Sequence, residues 1–280
     1  MAVKLIIDAG CDLTQAEANS IGVTLIPMTI HFDNREYRSG IDISNEEFYH
    51  LLEKCKELPT TSQPTPYEYE VVFQKVRACG DEAVVLCVSS ALSGTYQSAM
   101  IAAADYSDCI HVVDTQAVTV AQRILLNYAL SLKKHGASAI EIAAELERKK
   151  KDVCVFGAVD TLEYLIRGGR LSKAAGAVGS VLGVRPILCL SDGALSVAAK
   201  ARGAKAAISM THQLTADIGV DHAMPVAIGY TGNDPAVVEP YLEASNSVWG
   251  GQAIPVYNVG STVGTHTGPG LFIVSFFKKS

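Results

Sequence analysis

Ala83-Val84-Val85-Leu86-Cys87-Val88-Ser89-Ser90-Ala91-Leu92-Ser93-Gly94-Thr95-Tyr96 is the stretch that decides the fold. Its first six residues form an unbroken apolar run, as in a strand buried on both faces. Small polar residues follow, and a helix is predicted to open near Gly94. The same rhythm recurs on either side. Residues 3–7 read as a short buried strand ending at Asp8, and 110–113 as another ending at Asp114. Helices are predicted over 118–134 and 138–151, and a further strand over 153–159. Strands that alternate with helices form a mainly parallel sheet, with sites at the carboxyl ends of its strands.

Farther out, residues 21–32 read as extended. Ser44 and Glu47 have capping-box spacing, and Phe48, Leu51, Leu52 and Cys55 recur at helical intervals as far as about residue 58. The polar segment Thr60-Thr61-Ser62-Gln63-Pro64 reads as a loop. Thr65-Pro66 then opens a helix to Cys79, with a hydroxyl cap and proline in the first turn. Past residue 160 the rhythm changes. A short helix carries Leu162–Ile166, followed by the turn Gly168-Gly169-Arg170 and a small-residue helix through Leu182. Ser191-Asp192-Gly193 reads as the turn of a hairpin. Helices near 203–218 and 234–244 and strands near 225–230 and 253–258 precede an apolar central strand at 272–277. The expected fold is α/β with two domains. An N-terminal domain, 1–158, has a mainly parallel sheet with flanking helices. A C-terminal domain, 159–280, has a mixed or antiparallel sheet.

Composition excludes several classes. The 280 residues are 49% hydrophobic and 19% charged, which is incompatible with disorder, and the net charge of −6 argues against nucleic acid as a partner. Seven cysteines, scattered singly and without C-x-x-C, fit a reducing compartment, so a soluble cytoplasmic protein is expected. No apolar stretch reaches the roughly 18 residues that span a bilayer. There is no Gly-Lys dipeptide for a P-loop, no G-x-G-x-x-G after the first strand, no H-E-x-x-H and no G-x-S-x-G. No metal and no cofactor are expected.

Three segments concentrate small polar groups: Thr60–Pro64, Ser89–Tyr96, and Gly260-Ser261-Thr262-Val263-Gly264-Thr265-His266-Thr267-Gly268-Pro269-Gly270. The first two precede predicted helix N-termini, where unpaired N–H groups and the helix dipole favour an anion. Hydroxyls add donors without fixed charge, and His266 adds one or two more. A carboxylate or phosphate is the indicated ligand. Ser93 also sits at a strand-to-helix turn, as a hydrolase nucleophile would. A serine hydrolase or acyltransferase using Ser93 and His266 is therefore the alternative, with Asp8 or Asp114 as the orienting acid.

Four ordered motifs together resemble the DegV family, the fatty-acid-binding proteins that serve bacterial fatty acid kinases. They are the Thr60–Pro64 loop, Ser-Ser-Ala-Leu-Ser-Gly-Thr-Tyr-Gln-Ser-Ala at 89–99, Leu-Ile-Arg-Gly-Gly-Arg-Leu-Ser at 165–172, and Gly-Thr-His-Thr-Gly-Pro-Gly at 264–270. The resemblance implies a non-catalytic protein holding a long-chain fatty acid between two domains. It implies a carboxylate held by Thr61 and Ser93, with Ser62, the Gly94 backbone and His266 nearby, and Arg170 and Arg202 at the entrance or partner surface. The implied partner is a separate ATP-dependent kinase that converts the carboxyl to an acyl phosphate for phospholipid synthesis. No stable membrane insertion is expected, and any membrane contact would be transient. Ile26, Met28, Ile30, Leu92, Val159, Leu162, Leu165, Ile187 and Ile228 are the expected tail lining. Two departures stand out. Ala9 follows Asp8 where the family usually has Ser, and the basic run near Arg202 is reduced to Lys200, Arg202 and Lys205.

Overall fold

Thirteen strands fall in three sheets in the computed structural model, which describes residues 2–172 and 183–279. The small-residue helix expected through Leu182 falls on 173–182, outside the described residues. β1 (Val3–Asp8), β2 (Val23–Ile26), β6 (Glu82–Cys87) and β7 (Ile110–Asp114) form an all-parallel sheet in the order β2–β1–β6–β7. Its centre is dry: Leu5, Ile6, Ile7 and residues 83–87 are fully buried, as the continuous apolar runs require. β3 (Thr29–Phe32), β4 (Arg35–Arg38) and β5 (Thr60–Ser62) form a small antiparallel sheet in the order β4–β3–β5. The extended stretch 21–32 is thus two strands in different sheets. The Thr60–Pro64 segment, expected as a loop, contributes a strand, with Thr61 opposite Ile30.

The third sheet has the order β10–β9–β8–β13–β11–β12. Its strands are β8 (Val153–Ala158), β9 (Val184–Ser191), β10 (Ala194–Arg202), β11 (Ala227–Tyr230), β12 (Val256–Asn258) and β13 (Phe272–Phe277). Only β11 and β12 run parallel. The β9–β10 hairpin turns on Asp192 and Gly193, both at positive φ, as a two-residue turn of matching twist demands. β13 lies inside the sheet, between β8 and β11. β8 pairs antiparallel with β13 and β9, so it belongs to this sheet and not to the parallel one. The chain therefore changes sheet before residue 153. We propose a domain division near 150 in place of 158.

Helix caps match their sequence signals. Thr65 and Glu68 form a complete capping box on Pro66–Ala78, and Ser138 and Glu141 form one on Ala139–Lys149. At Ser44 the hydroxyl accepts from the Glu47 amide, the half of the box that the structure shows, and the helix runs Asn45–Lys54. The Val120–Lys134 helix packs against β1 on one side and β11 and β13 on the other. One continuous core results, running from Leu5 and Val84 through Ile124 and Leu125 to Val155, Ile273 and Phe277.

Candidate functional site

A cavity lies between the carboxyl edge of the parallel sheet and the inner face of the six-stranded sheet. Gly10, Val88 and Thr119, which follow β1, β6 and β7, form one wall. Val155, Leu188 and Ile273 face them. The walls are overwhelmingly aliphatic. Of the expected tail residues, Met28, Leu92 and Leu165 line the cavity. Ile26, Ile30, Val159, Leu162, Ile187 and Ile228 do not, and serve as core.

Polar groups cluster at one end: Thr61, Ser93, Arg170 and His266 all reach the cavity. Strand alternation explains the first. Along Thr60-Thr61-Ser62 only the middle side chain turns inward, while its neighbours are exposed. Thr61 Oγ1 lies 2.7 Å from His266 Nε2. Ser62 faces the other way and bonds His31 Nε2 at 2.6 Å, so the structure does not bring it to the cavity. Ser93 Oγ lies 2.8 Å from Thr95 Oγ1 and accepts from the Thr95 amide at 3.3 Å, at the start of the Thr95–Ala103 helix. Gly94 is the cap residue of that helix and lies off the cavity wall. A methyl group there would sit 2.2 Å from Gln63 Oε1, so glycine lets Gln63 cross over and donate to Ser98 Oγ at 3.0 Å. This contact ties the Thr60–Pro64 segment to the second motif.

Arg170 is half-buried. Its Nε donates to the Leu92 carbonyl at 3.2 Å and its Nη1 to the Gly168 carbonyl at 2.6 Å, and burial lowers its pKa. Arg202 lies elsewhere, exposed at the end of β10 beside Lys200 and Lys205. His266 sits on a short helix, Ser261–Thr267, within the third polar segment. Burial first, and then the Arg170 charge, hold the imidazole pKa down to about 4, so it is neutral at pH 7. Its Nδ1 is buried without a partner, packed against Gly168, where a methyl would come within 2.4 Å. Thr262, one turn earlier, also lines the cavity with an unpartnered buried hydroxyl.

The pairing required for nucleophilic catalysis is not what the structure displays. Ser93 pairs with Thr95, and His266 pairs with Thr61. Asp8 accepts from the amides of Gly10 (2.8 Å) and Val88 (2.6 Å), and Asp114 accepts from Ser90.

Asp12 and Thr119 are site-supporting residues that motif reading missed, whereas Thr262 lies within the Gly260–Gly270 motif. Asp12 Oδ1 accepts from the Gly260 amide at 2.8 Å and Oδ2 from the Thr119 hydroxyl. Burial raises its pKa to about 7, and that of Asp8 to about 6. The signal was present in Asp8-Ala9-Gly10-Cys11-Asp12, acids placed where a parallel strand ends. Thr119 gave no signal. Its φ of 54° is a strained conformation for a β-branched residue, imposed by its neighbours.

The DegV family model, described as "Uncharacterised protein, DegV family", matches residues 2–279. The chain belongs to the DegV family. A DegV domain-containing protein of Caldanaerobacter subterraneus is 33% identical over 289 residues, covering 99% of each chain. A DegV family protein from Thermus thermophilus, whose structure is described as fatty acid binding, superposes on this DegV chain with a TM-score of 0.88 and 30% identity, over 100% of both chains. The Streptococcus pneumoniae Fatty Acid Kinase (Fak) B3 protein, loaded with linoleic acid, shares the DegV fold, with a TM-score of 0.87 and 20% identity over 100% of both chains.

Proposed function

We propose that this DegV protein binds a long-chain fatty acid in the interdomain cavity and presents its carboxyl group to a separate ATP-dependent kinase, without itself catalysing a reaction. One observation carries the reading: an aliphatic cavity with uncharged hydroxyl and imidazole groups gathered at a single end. An acyl tail gains about 0.8 kcal/mol per buried methylene, roughly 10 kcal/mol for about 14 of them before binding costs. A carboxylate needs donors to survive desolvation. Thr61 and Ser93 supply hydroxyls, and Arg170 supplies positive charge close by.

The neutral imidazole leaves two directions for the Thr61 bond, set by the tautomer, and we propose the one in which Nε2 carries the proton. With its proton on Nε2, His266 donates to Thr61 Oγ1, and the threonine O–H is free to donate to the carboxylate. That proton placement leaves Nδ1 as the one acceptor of the ring without a partner, against Gly168. Ser62 acts one step back in this reading, holding β5 against His31. Arg202, Lys200 and Lys205 are the outward basic side chains suited to meeting the kinase.

The test is mass spectrometry of lipid extracted from the purified protein, with calorimetry of added palmitate. A copurified fatty acid and stoichiometric binding are expected, with Thr61→Val and Ser93→Ala each weakening binding by about tenfold, the loss of one hydrogen bond to a charged group. Failure to copurify or bind any fatty acid refutes the reading. In a coupled assay with the kinase and ATP, Arg202→Glu is expected to slow acyl phosphate formation while leaving palmitate affinity unchanged.

A further inference from the structure

The cavity follows the carboxyl edge of the parallel sheet. Met28 beyond β2, Gly10 beyond β1, Val88 beyond β6 and Val118 beyond β7 appear along it in the spatial order of the strands. Thr61 belongs to the β2 side, because β5 pairs with β3, which continues from β2. The opposite end therefore lies near β7, about 14 Å away at ordinary inter-strand spacing. A second, polar pocket lies at that edge. It is lined by Gln116, Lys150, Lys151 and Asp192, and it shares two residues with the apolar cavity, Val155 and Leu190. Lys150 is fixed there, donating to the Asp114 carbonyl at 2.8 Å and pairing with Glu147 at 2.6 Å. The hairpin tip that carries the pocket's far side is fixed as well, because Ser89 Oγ donates to the Gly193 carbonyl at 2.8 Å. Two aliphatic side chains thus stand between an apolar channel and a polar, lysine-lined pocket.

Resting on the fatty-acid reading above, we propose that Val155 and Leu190 form the floor of the acyl channel and set the longest chain it accepts. A tail that reaches them stops against two well-packed walls, since both flanking elements are held by hydrogen bonds. A tail that passed them would leave apolar surroundings for water and ammonium groups and gain nothing from its last methylenes.

Affinities for saturated acids from dodecanoic to eicosanoic, measured by calorimetry, test this. Leu190→Ala lowers the floor by the volume of the lost side chain, and the optimum is expected to move to longer acids, with about a fourfold gain for each methylene that fills the vacated space. Leu190→Trp raises the floor, and the optimum is expected to shorten. Leu190 is only partly buried, so both variants are expected to keep the native melting temperature within a few degrees; Val155→Ala is the second opening variant should either fail to fold. Hexadecanedioic acid, whose far carboxylate would emerge beneath Lys150 and Lys151, is expected to bind Leu190→Ala at least tenfold better than the native protein. An unchanged length optimum in folded variants, or equal binding of the diacid by native and opened protein, overturns the proposal while leaving the fatty-acid reading intact. Absence of any fatty acid binding by the native protein overturns both.

Discussion

His266 is a base whose folded pKa lies near 4, below its ordinary value of about 6.5. Between those limits the unfolded chain binds more protons than the folded one. Its contribution to stability is therefore complete above about pH 6.5 and is lost as the pH falls toward 4. NMR titration of its ring carbons is expected to give a midpoint near 4, and Arg170→Met is expected to raise that midpoint by removing the second of the two causes. Gly168 is the contact that makes this ring sensitive to shape. Gly168→Ala places a methyl 2.4 Å from Nδ1 and 3.0 Å from the Tyr164 carbonyl, at an ordinary helical φ of −71°. Calorimetry is expected to show a fall in palmitate affinity of about tenfold or more, with little change in melting temperature. Equal affinity would mean that the ring is free to move aside.

The segment entering the Ser261–Thr267 helix is held by side chains from the first part of the chain, one after another. Asn45 Nδ2 donates to the Asn258 carbonyl at 3.2 Å, Tyr49 to the Val259 carbonyl at 2.8 Å, Asp12 accepts from the Gly260 amide, and Ser39 Oγ lies 2.9 Å from Ser261 Oγ. Asp12→Ala leaves the Gly260 amide and the Thr119 hydroxyl without partners, and urea unfolding is expected to show a loss of about 2–4 kcal/mol. Asp12 also has a pH signature opposite to that of His266. Its folded pKa, near 7, is raised above the unfolded value, so the folded state holds the extra proton, and stability declines as pH rises from about 4 to 7. Asp12→Asn is expected to flatten that decline. These bonds also explain why a helix was illegible at 261–267. Serine, threonine and glycine form helices poorly, and here tertiary anchoring overrides propensity. By contrast, β1 and β6 were legible because strands buried on both faces must be apolar throughout, and the 66–78 helix because its cap is written in Thr65 and Pro66. Chemistry marked the polar segments 60–64 and 89–96, and the family resemblance singled out Thr61 and Ser93 within them. The displacement of Ser62 follows from a strand pairing that three polar residues do not advertise, and the sheet to which 153–158 belongs is not a property of that segment at all.

At the scale of the molecule, the two large sheets share one core through the Val120–Lys134 helix, and the hydrogen bonds at 258–261 cross the same boundary. The two sheets are therefore expected to unfold together. Trp249, the sole tryptophan, is buried against Tyr241 and Phe276 on the six-stranded side. Its fluorescence and far-ultraviolet circular dichroism are expected to give coincident urea transitions. A separate, earlier fluorescence transition would show that the second sheet opens on its own. Because the proposed acyl site lies between the sheets, saturating palmitate is expected to shift both signals together, by about 2.7 kcal/mol at a hundredfold excess over Kd.

The position of β13 inside its sheet has a consequence for synthesis. Phe272–Phe277 and the helix bearing His266 leave the ribosome after every other element described here. Until they emerge, β8 and β11 have no strand to join them, and Thr61 has no imidazole to meet. The parallel sheet can form early, but the proposed lipid site is assembled in one late step. A nascent chain arrested before residue 260 is thus expected to carry no acyl cargo, however much of the channel wall has already been made.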